Sequence, residues 1–136
     1  MQTRDGMARV RVCLVDDDIF VRDALALGLG DAGYEVVTAP GAAAGFDIAQ
    51  RKEVDVVVTD MNMPGTGGAQ FIVELRAQWP ALPIIAISGA ATIDGRDTGA
   101  IAAELGANET LIKPFRARQL AAVIDSVLNG GGAARS

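Results

Sequence analysis

The sequence predicts an α/β domain of the doubly wound type: a (βα)5 sandwich whose five-stranded parallel sheet carries helices on both faces. Two observations lead there. Short runs rich in Val and Ile recur between longer stretches with helical spacing, and strand-like and helix-like segments alternate along the chain. The runs are also nearly continuous in their apolar character, as parallel strands buried on both faces require.

In order, the strands are expected at Val10 to Val15, Glu35 to Thr38, Val54 to Thr59, Pro83 to Ser88 and Thr110 to Ile112. Helices are expected at Phe20 to Gly30, Gly41 to Arg51, Ala69 to Gln78, Asp97 to Leu105 and Arg116 to Leu128. Gly33 and Gly106 stand where C-terminal caps belong, and Pro40 suits a helix start. SGAATIDGRDTG, residues 88 to 99, reads as a long, Gly-rich, mobile loop. Residues 1 to 8 are assigned to a short N-terminal tail, 9 to 129 to the domain and 130 to 136 to a flexible C-terminal tail.

At 136 residues the chain suits one compact domain. A net charge of -5 argues against binding nucleic acid or an anionic membrane surface. Cys13 is the single cysteine, so no internal disulfide forms. No stretch approaches the ~18 apolar residues of a membrane span, and the N-terminus lacks the apolar core of a secretory signal. A soluble cytoplasmic protein, monomeric or weakly dimeric, is expected. The chain has no histidine, which excludes histidine general bases and histidine metal ligands.

VCLVDDDIF, residues 12 to 20, runs a buried strand into Asp16, Asp17 and Asp18. Clustered carboxylates raise one another's pKa, so they call for solvent or a counter-charge. Crossovers in such a sheet are right-handed, and the ligand crevice lies where strand order reverses. If it reverses after the first strand, giving the order 2-1-3-4-5, strands one and three become neighbours about 4.8 Å apart. Asp16 and Asp17 then lie beside Asp60, which closes VDVVVTD, and a divalent cation can supply the counter-charge. Ser88, ending PIIAIS, and Lys113, ending TLIK, reach the same rim.

VDDD, VVVTDMNMP, IIAISG and LIKPF, in that order, resemble the receiver domain of bacterial two-component response regulators, across residues 9 to about 129. The resemblance implies a flavodoxin-like fold and a stand-alone, single-domain, CheY-like protein. It implies that Asp60 is the phosphoacceptor, forming an acyl phosphate with a phosphoryl group from a sensor histidine kinase or histidine phosphotransferase. Asp17 matches the main metal ligand and Asp16 its companion, with Asp60 and the backbone carbonyl of Asn62 completing a Mg²⁺ site that Mn²⁺ also suits. Lys113 would neutralise phosphoryl charge, and Ser88 would hydrogen-bond a phosphoryl oxygen. The Lys113–Pro114 bond falls where the family has a cis peptide. The readout would be the fourth helix, fifth strand and fifth helix, presented to an unidentified downstream protein. The protein would act as a phosphoacceptor that assists its own phosphotransfer and autodephosphorylation, not as an enzyme.

Two departures stand out. Thr110, three residues before Lys113, replaces a usually aromatic switch residue, so the ring-based switch is in doubt. Gly89 and Ala90 offer no bulk over the phosphoryl site, so attacking water is poorly excluded and a moderately long-lived acyl phosphate is expected. Two other readings are open: a Mg²⁺-dependent phosphohydrolase with Asp16 as nucleophile and Asp18 as acid, and a degenerate receiver that binds partners without phosphate. For Asp18 a helix cap is favoured over metal binding. Met61 and Met63 read as packing residues. GLGDAG, residues 28 to 33, fits a dinucleotide-binding pattern but follows a helix instead of a strand, the reverse of what phosphate binding needs.

Overall fold

A computed structural model describes residues 9–51, 53–63 and 67–129, so the two tails expected at 1 to 8 and 130 to 136 lie outside the described residues. The elements are β1 (Arg11–Val15), α1 (Ile19–Asp31), β2 (Glu35–Ala39), α2 (Ala42–Arg51), β3 (Val56–Asp60), α3 (Gly68–Gln78), β4 (Ile84–Ser88), β5 (Thr92–Ile93), β6 (Arg96–Asp97), α4 (Thr98–Leu105), β7 (Glu109–Ile112) and α5 (Ala117–Leu128). The main sheet has the order β2-β1-β3-β4-β7 with every pair parallel. Since β7 is its fifth strand, this is the expected 2-1-3-4-5 arrangement.

The side chains of the central strands sort by parity into two cores. Val12, Leu14, Val56, Val58, Ile85 and Ile87 face one way and pack with Leu25 and Leu29 of α1 and Leu120 and Ile124 of α5. Cys13, Val15, Val57, Ile84 and Ala86 face the other way, against Phe71, Ile72 and Leu75 of α3 and Ala102 of α4. With a core on each side, a strand residue of either parity is buried, and this is why the runs are apolar without alternation. Burial pushes the Cys13 thiol up to about 12, so it is a packing residue and not a nucleophile.

Three expectations need correction. The third strand begins at Val56, two residues later than read, and runs on to Asp60 itself. Pro40 precedes α2, which starts at Ala42. The loop of residues 88 to 99 is not featureless: Thr92–Ile93 and Arg96–Asp97 pair as an antiparallel hairpin. Asp94 and Gly95 take φ of 51° and 80° at its tip. Positive φ at both central residues matches the right-handed twist of a two-residue hairpin, and Asp-Gly is the dipeptide that adopts it most readily. The sequence carries that signal in TIDGRD, where Asp-Gly sits between Thr92–Ile93 and Arg96–Asp97. Gly33 and Gly106 do end helices with positive φ, and GLGDAG is the close of α1 and its turn into β2.

Candidate functional site

The parallel register gathers the polar strand ends on one edge. Val15 of β1 is level with Thr59 of β3, so Asp16 and Asp60 emerge side by side. Ser88 of β4 is level with Ile112 of β7, so Lys113 follows directly beyond it. The Lys113 ammonium lies 2.7 Å from Asp60 Oδ2 and 3.9 Å from Asp16 Oδ2. Asp60 Oδ1 accepts a 2.8 Å hydrogen bond from the Asn62 backbone N–H, and Asp16 Oδ1 accepts one of 2.9 Å from the Asp18 N–H. The Lys113–Pro114 peptide bond is cis.

Carboxylate oxygens of Asp16, Asp17 and Asp60 lie within 4.8 Å of one another. Asp16 and Asp60 are only 1% and 4% exposed, whereas Asp17 is open to solvent. Asp16 Oδ2 is buried without a hydrogen-bond partner. A buried carboxylate oxygen left bare is costly, and a hard cation bound by it together with Asp17 and Asp60 would satisfy it. The donor set therefore fits Mg²⁺, with solvent access on the Asp17 side for the waters that this ion retains.

Electrostatics agree with the geometry. Burial, the largest influence, and the Asp60 and Asp17 charges raise the Asp16 carboxyl above the usual range, against the lowering effects of the Asp18 N–H and Lys113. For Lys113 burial works downward, but the hydrogen bond and charge of Asp60, with the charges of Asp16 and Asp18, hold the ammonium above the ordinary lysine range. A carboxyl whose folded value is raised favours folding below its unfolded value, and that contribution is lost as pH rises through the folded one. Without divalent metal at pH 7, Asp16→Asn is thus expected to stabilise the fold by about 1 kcal/mol, roughly 3 °C in Tm. The gain should shrink as pH falls towards ~4. Melting curves at several pH values check this, and Mg²⁺ should raise the wild-type Tm more than that of the variant.

Asp18 caps α1: its Oδ1 accepts from the N–H groups of Phe20 and Val21 at 3.0 and 3.3 Å. Asp18→Ala should cost about 1 kcal/mol of stability and leave Mg²⁺ affinity within about twofold. Calorimetric melting and titration would separate the two effects. Ser88 is at the expected strand end, but its hydroxyl is turned into its own loop, donating to the Ala90 carbonyl at 3.0 Å and accepting from the Ala90 N–H at 3.1 Å. Thr110 lies in β7 level with Ala86.

Sequence reasoning missed four contributors. Arg22, six residues beyond Asp16, donates from Nη1 to the Asp16 carbonyl at 3.0 Å and so braces the acidic loop. The Asn62 N–H holds Asp60, Thr98 reaches the loop after Ser88, and Gly68 packs against the backbone of Asp60. The i, i+6 spacing of Arg22 is visible in the sequence; the other three depend on how loops close.

Residues 12–125 match the family model for the response regulator receiver domain. The transcriptional regulatory protein PrrA of Mycobacterium tuberculosis is 35% identical over 127 residues, which cover 93% of this chain and 53% of PrrA. The response regulator protein FleR of Pseudomonas aeruginosa is 34% identical over 110 residues, covering 81% of this chain and 23% of FleR. The chain spans about half the length of the first of these relatives. Among solved structures, the chemotaxis protein CheY4 of Vibrio cholerae superposes with a TM-score of 0.82 at 32% identity, covering 89% of this chain and all of CheY4. The receiver domain of NtrX from Brucella abortus gives 0.79 at 31% identity, covering 87% of this chain and 98% of that one. The chain belongs to the response regulator receiver domains, the phosphorylation-controlled switches of two-component signalling.

Proposed function

We propose that Asp60 is the phosphoacceptor of this chain and that it takes its phosphoryl group from a phosphohistidine on a sensor histidine kinase or histidine phosphotransferase. The observation that carries this reading is the placement of the Asp60 carboxylate at the end of β3, with the Lys113 ammonium at 2.7 Å and the bare Oδ2 of Asp16 beside it. A carboxylate oxygen of Asp60 forms the new bond to phosphorus while the P–N bond breaks, its electron pair leaving with the donor imidazole. The equatorial phosphoryl oxygens gather negative charge during transfer, and Lys113 is placed to offset it. Asp16, Asp17, Asp60 and the Asn62 backbone carbonyl would hold Mg²⁺, or Mn²⁺ in its stead, and the bound ion supplies further charge neutralisation. Ser88 turns from Ala90 to hydrogen-bond a phosphoryl oxygen. With Gly89 and Ala90 beside the site, water reaches the acyl phosphate and returns the switch to its resting state.

The receiver works in the cytoplasm, presenting the α4, β7 and α5 face to a downstream protein partner. Among the described residues no helix is long and apolar enough to cross a membrane. The phosphohydrolase reading needs Asp18 as a proton donor, but its carboxylate is engaged in capping α1.

Intact-mass analysis after incubation with acetyl phosphate and Mg²⁺ tests the assignment. A gain of about 80 Da, abolished by a chelator and mapped by borohydride reduction to Asp60, is the expected result. Modification mapped to Asp16 would favour the hydrolase. No adduct, together with no response to beryllofluoride, would favour a phosphate-independent interaction module.

A further inference from the structure

We infer that Thr98 is a positioning residue for the Ser88 hydroxyl, and that the β5–β6 hairpin moves with that hydroxyl when the switch is set. This rests on the reading of Asp60 as phosphoacceptor. The Ala90 carbonyl accepts two hydroxyl hydrogen bonds, one from Ser88 Oγ at 3.0 Å and one from Thr98 Oγ1 at 2.6 Å. Thr98 is the first residue of α4, is completely buried, and also donates its N–H to the Ala91 carbonyl at 2.9 Å. Ser88 is anchored from the other side, since its carbonyl accepts from the Lys113 N–H at 2.8 Å. A continuous chain of contacts therefore runs from the strand end carrying Ser88, through Ala90, to the start of α4.

The hairpin is tied into that chain at both of its ends. Ala91 leads directly into β5, and β6 runs directly into Thr98. Asp97, the last residue of β6, caps α4 by accepting from the Ala100 N–H at 2.9 Å. A shift of residues 89–91 is consequently passed to both strands of the hairpin and to the first turn of the helix. In this chain Thr110 offers no ring to carry the signal, and the Thr98 path leaves from the same hydroxyl.

The direction of the effect follows from sharing one acceptor. To reach a phosphoryl oxygen Ser88 must give up the Ala90 carbonyl. With Thr98 present that oxygen keeps a donor, so the release is cheap; with the Thr98 hydroxyl removed, Ser88 is its remaining hydroxyl donor and is held back. Double substitutions expose this dependence, because residues acting through one hydrogen-bond network are not additive.

The test is titration of beryllofluoride in excess Mg²⁺, followed by amide-resolved NMR, on the wild type, Ser88→Ala, Thr98→Val, Thr98→Ala, Thr98→Ser and the double variants. Thr98→Val and Thr98→Ala should weaken beryllofluoride by about 3–10-fold, the worth of one neutral hydrogen bond. Thr98→Ser should bind as the wild type does, and in the Ser88→Ala background neither Thr98 substitution should have a further effect. The amides of residues 92–97 should shift on binding in the wild type and respond weakly in Thr98→Val. Wild-type affinity in Thr98→Val and Thr98→Ala, an equal loss in the Ser88→Ala background, or a silent hairpin in the wild type would overturn the inference and leave Asp60 as acceptor intact. Failure of the wild type to bind beryllofluoride at all would overturn the Asp60 reading and this inference with it.

Discussion

Asp60→Asn is expected to take up no detectable phosphoryl group from acetyl phosphate, a loss of more than about 100-fold, while remaining folded. The carboxamide oxygen can still accept from the Asn62 N–H, as Asp60 Oδ1 does at 2.8 Å, so the turn after β3 keeps its hydrogen bond. What disappears is the nucleophile: an amide oxygen is a poor attacker at phosphorus, and Asp16 is turned towards the Asp18 N–H and Lys113. Lys113 loses its 2.7 Å partner and keeps Asp16 at 3.9 Å. The raised folded value of Lys113 contributes stability that is fully present below its unfolded value near ~10.4 and is lost as pH rises through the folded value. The variant should therefore show a flatter alkaline limb in a plot of Tm against pH. Intact mass checks the first part and melting between neutral and alkaline pH the second. An undiminished adduct in Asp60→Asn would move the nucleophile to Asp16 and refute the receiver chemistry for this chain.

The fold and the heart of the site were legible for one reason: a strand buried on both faces has no other way to be written than as a short apolar run, and each such run here ends in a polar residue. Asp60 and Ser88 close their strands and Asp16 and Lys113 follow theirs directly, so assigning the strands and one reversal of order was enough to bring them together. The misses lie where a side chain's partner is set by loop closure. Nothing in PIIAISG says that the Ser88 hydroxyl rests on Ala90, because that depends on where residues 89–91 return to meet Thr98. The hairpin was overlooked for a different reason. Glycine signals both flexibility and a turn that needs positive φ, and the adjoining Asp94 together with the flanking Thr92–Ile93 and Arg96–Asp97 decides between them. The same ambiguity covers the glycines after Asp60. In the sequence Gly67 and Gly68 look equivalent, and in the structure they are not.

Gly68→Ala is expected to destabilise the fold by about 2–3 kcal/mol, roughly 6–9 °C in Tm, and to slow phosphoryl uptake by at least about tenfold. A Cβ on Gly68 would overlap the Asp60 carbonyl oxygen and lie 2.5 Å from Met61 Cα and 2.8 Å from the Met61 carbonyl carbon. All three are backbone atoms, so no side-chain rotation relieves the overlap and the start of α3 must separate from the end of β3. That separation is resisted by the core beneath it, where Phe71, Ile72 and Leu75 of α3 are fully buried. The residue displaced is the one that carries Asp60, and a shift of about 1 Å in a reacting group is enough to cost one to two orders of magnitude in rate. Gly67 is the internal control. It precedes α3 with φ of −67° and ψ of 163°, and a Cβ there meets nothing within 4 Å. Gly67→Ala should change stability by no more than about 1 kcal/mol in either direction and leave uptake unchanged. Parallel melting curves and acetyl phosphate time courses on the two variants make the comparison. Equal Tm values and equal rates for Gly68→Ala and Gly67→Ala would show that the β3–α3 junction has room to relax and that the position of Asp60 does not depend on this contact.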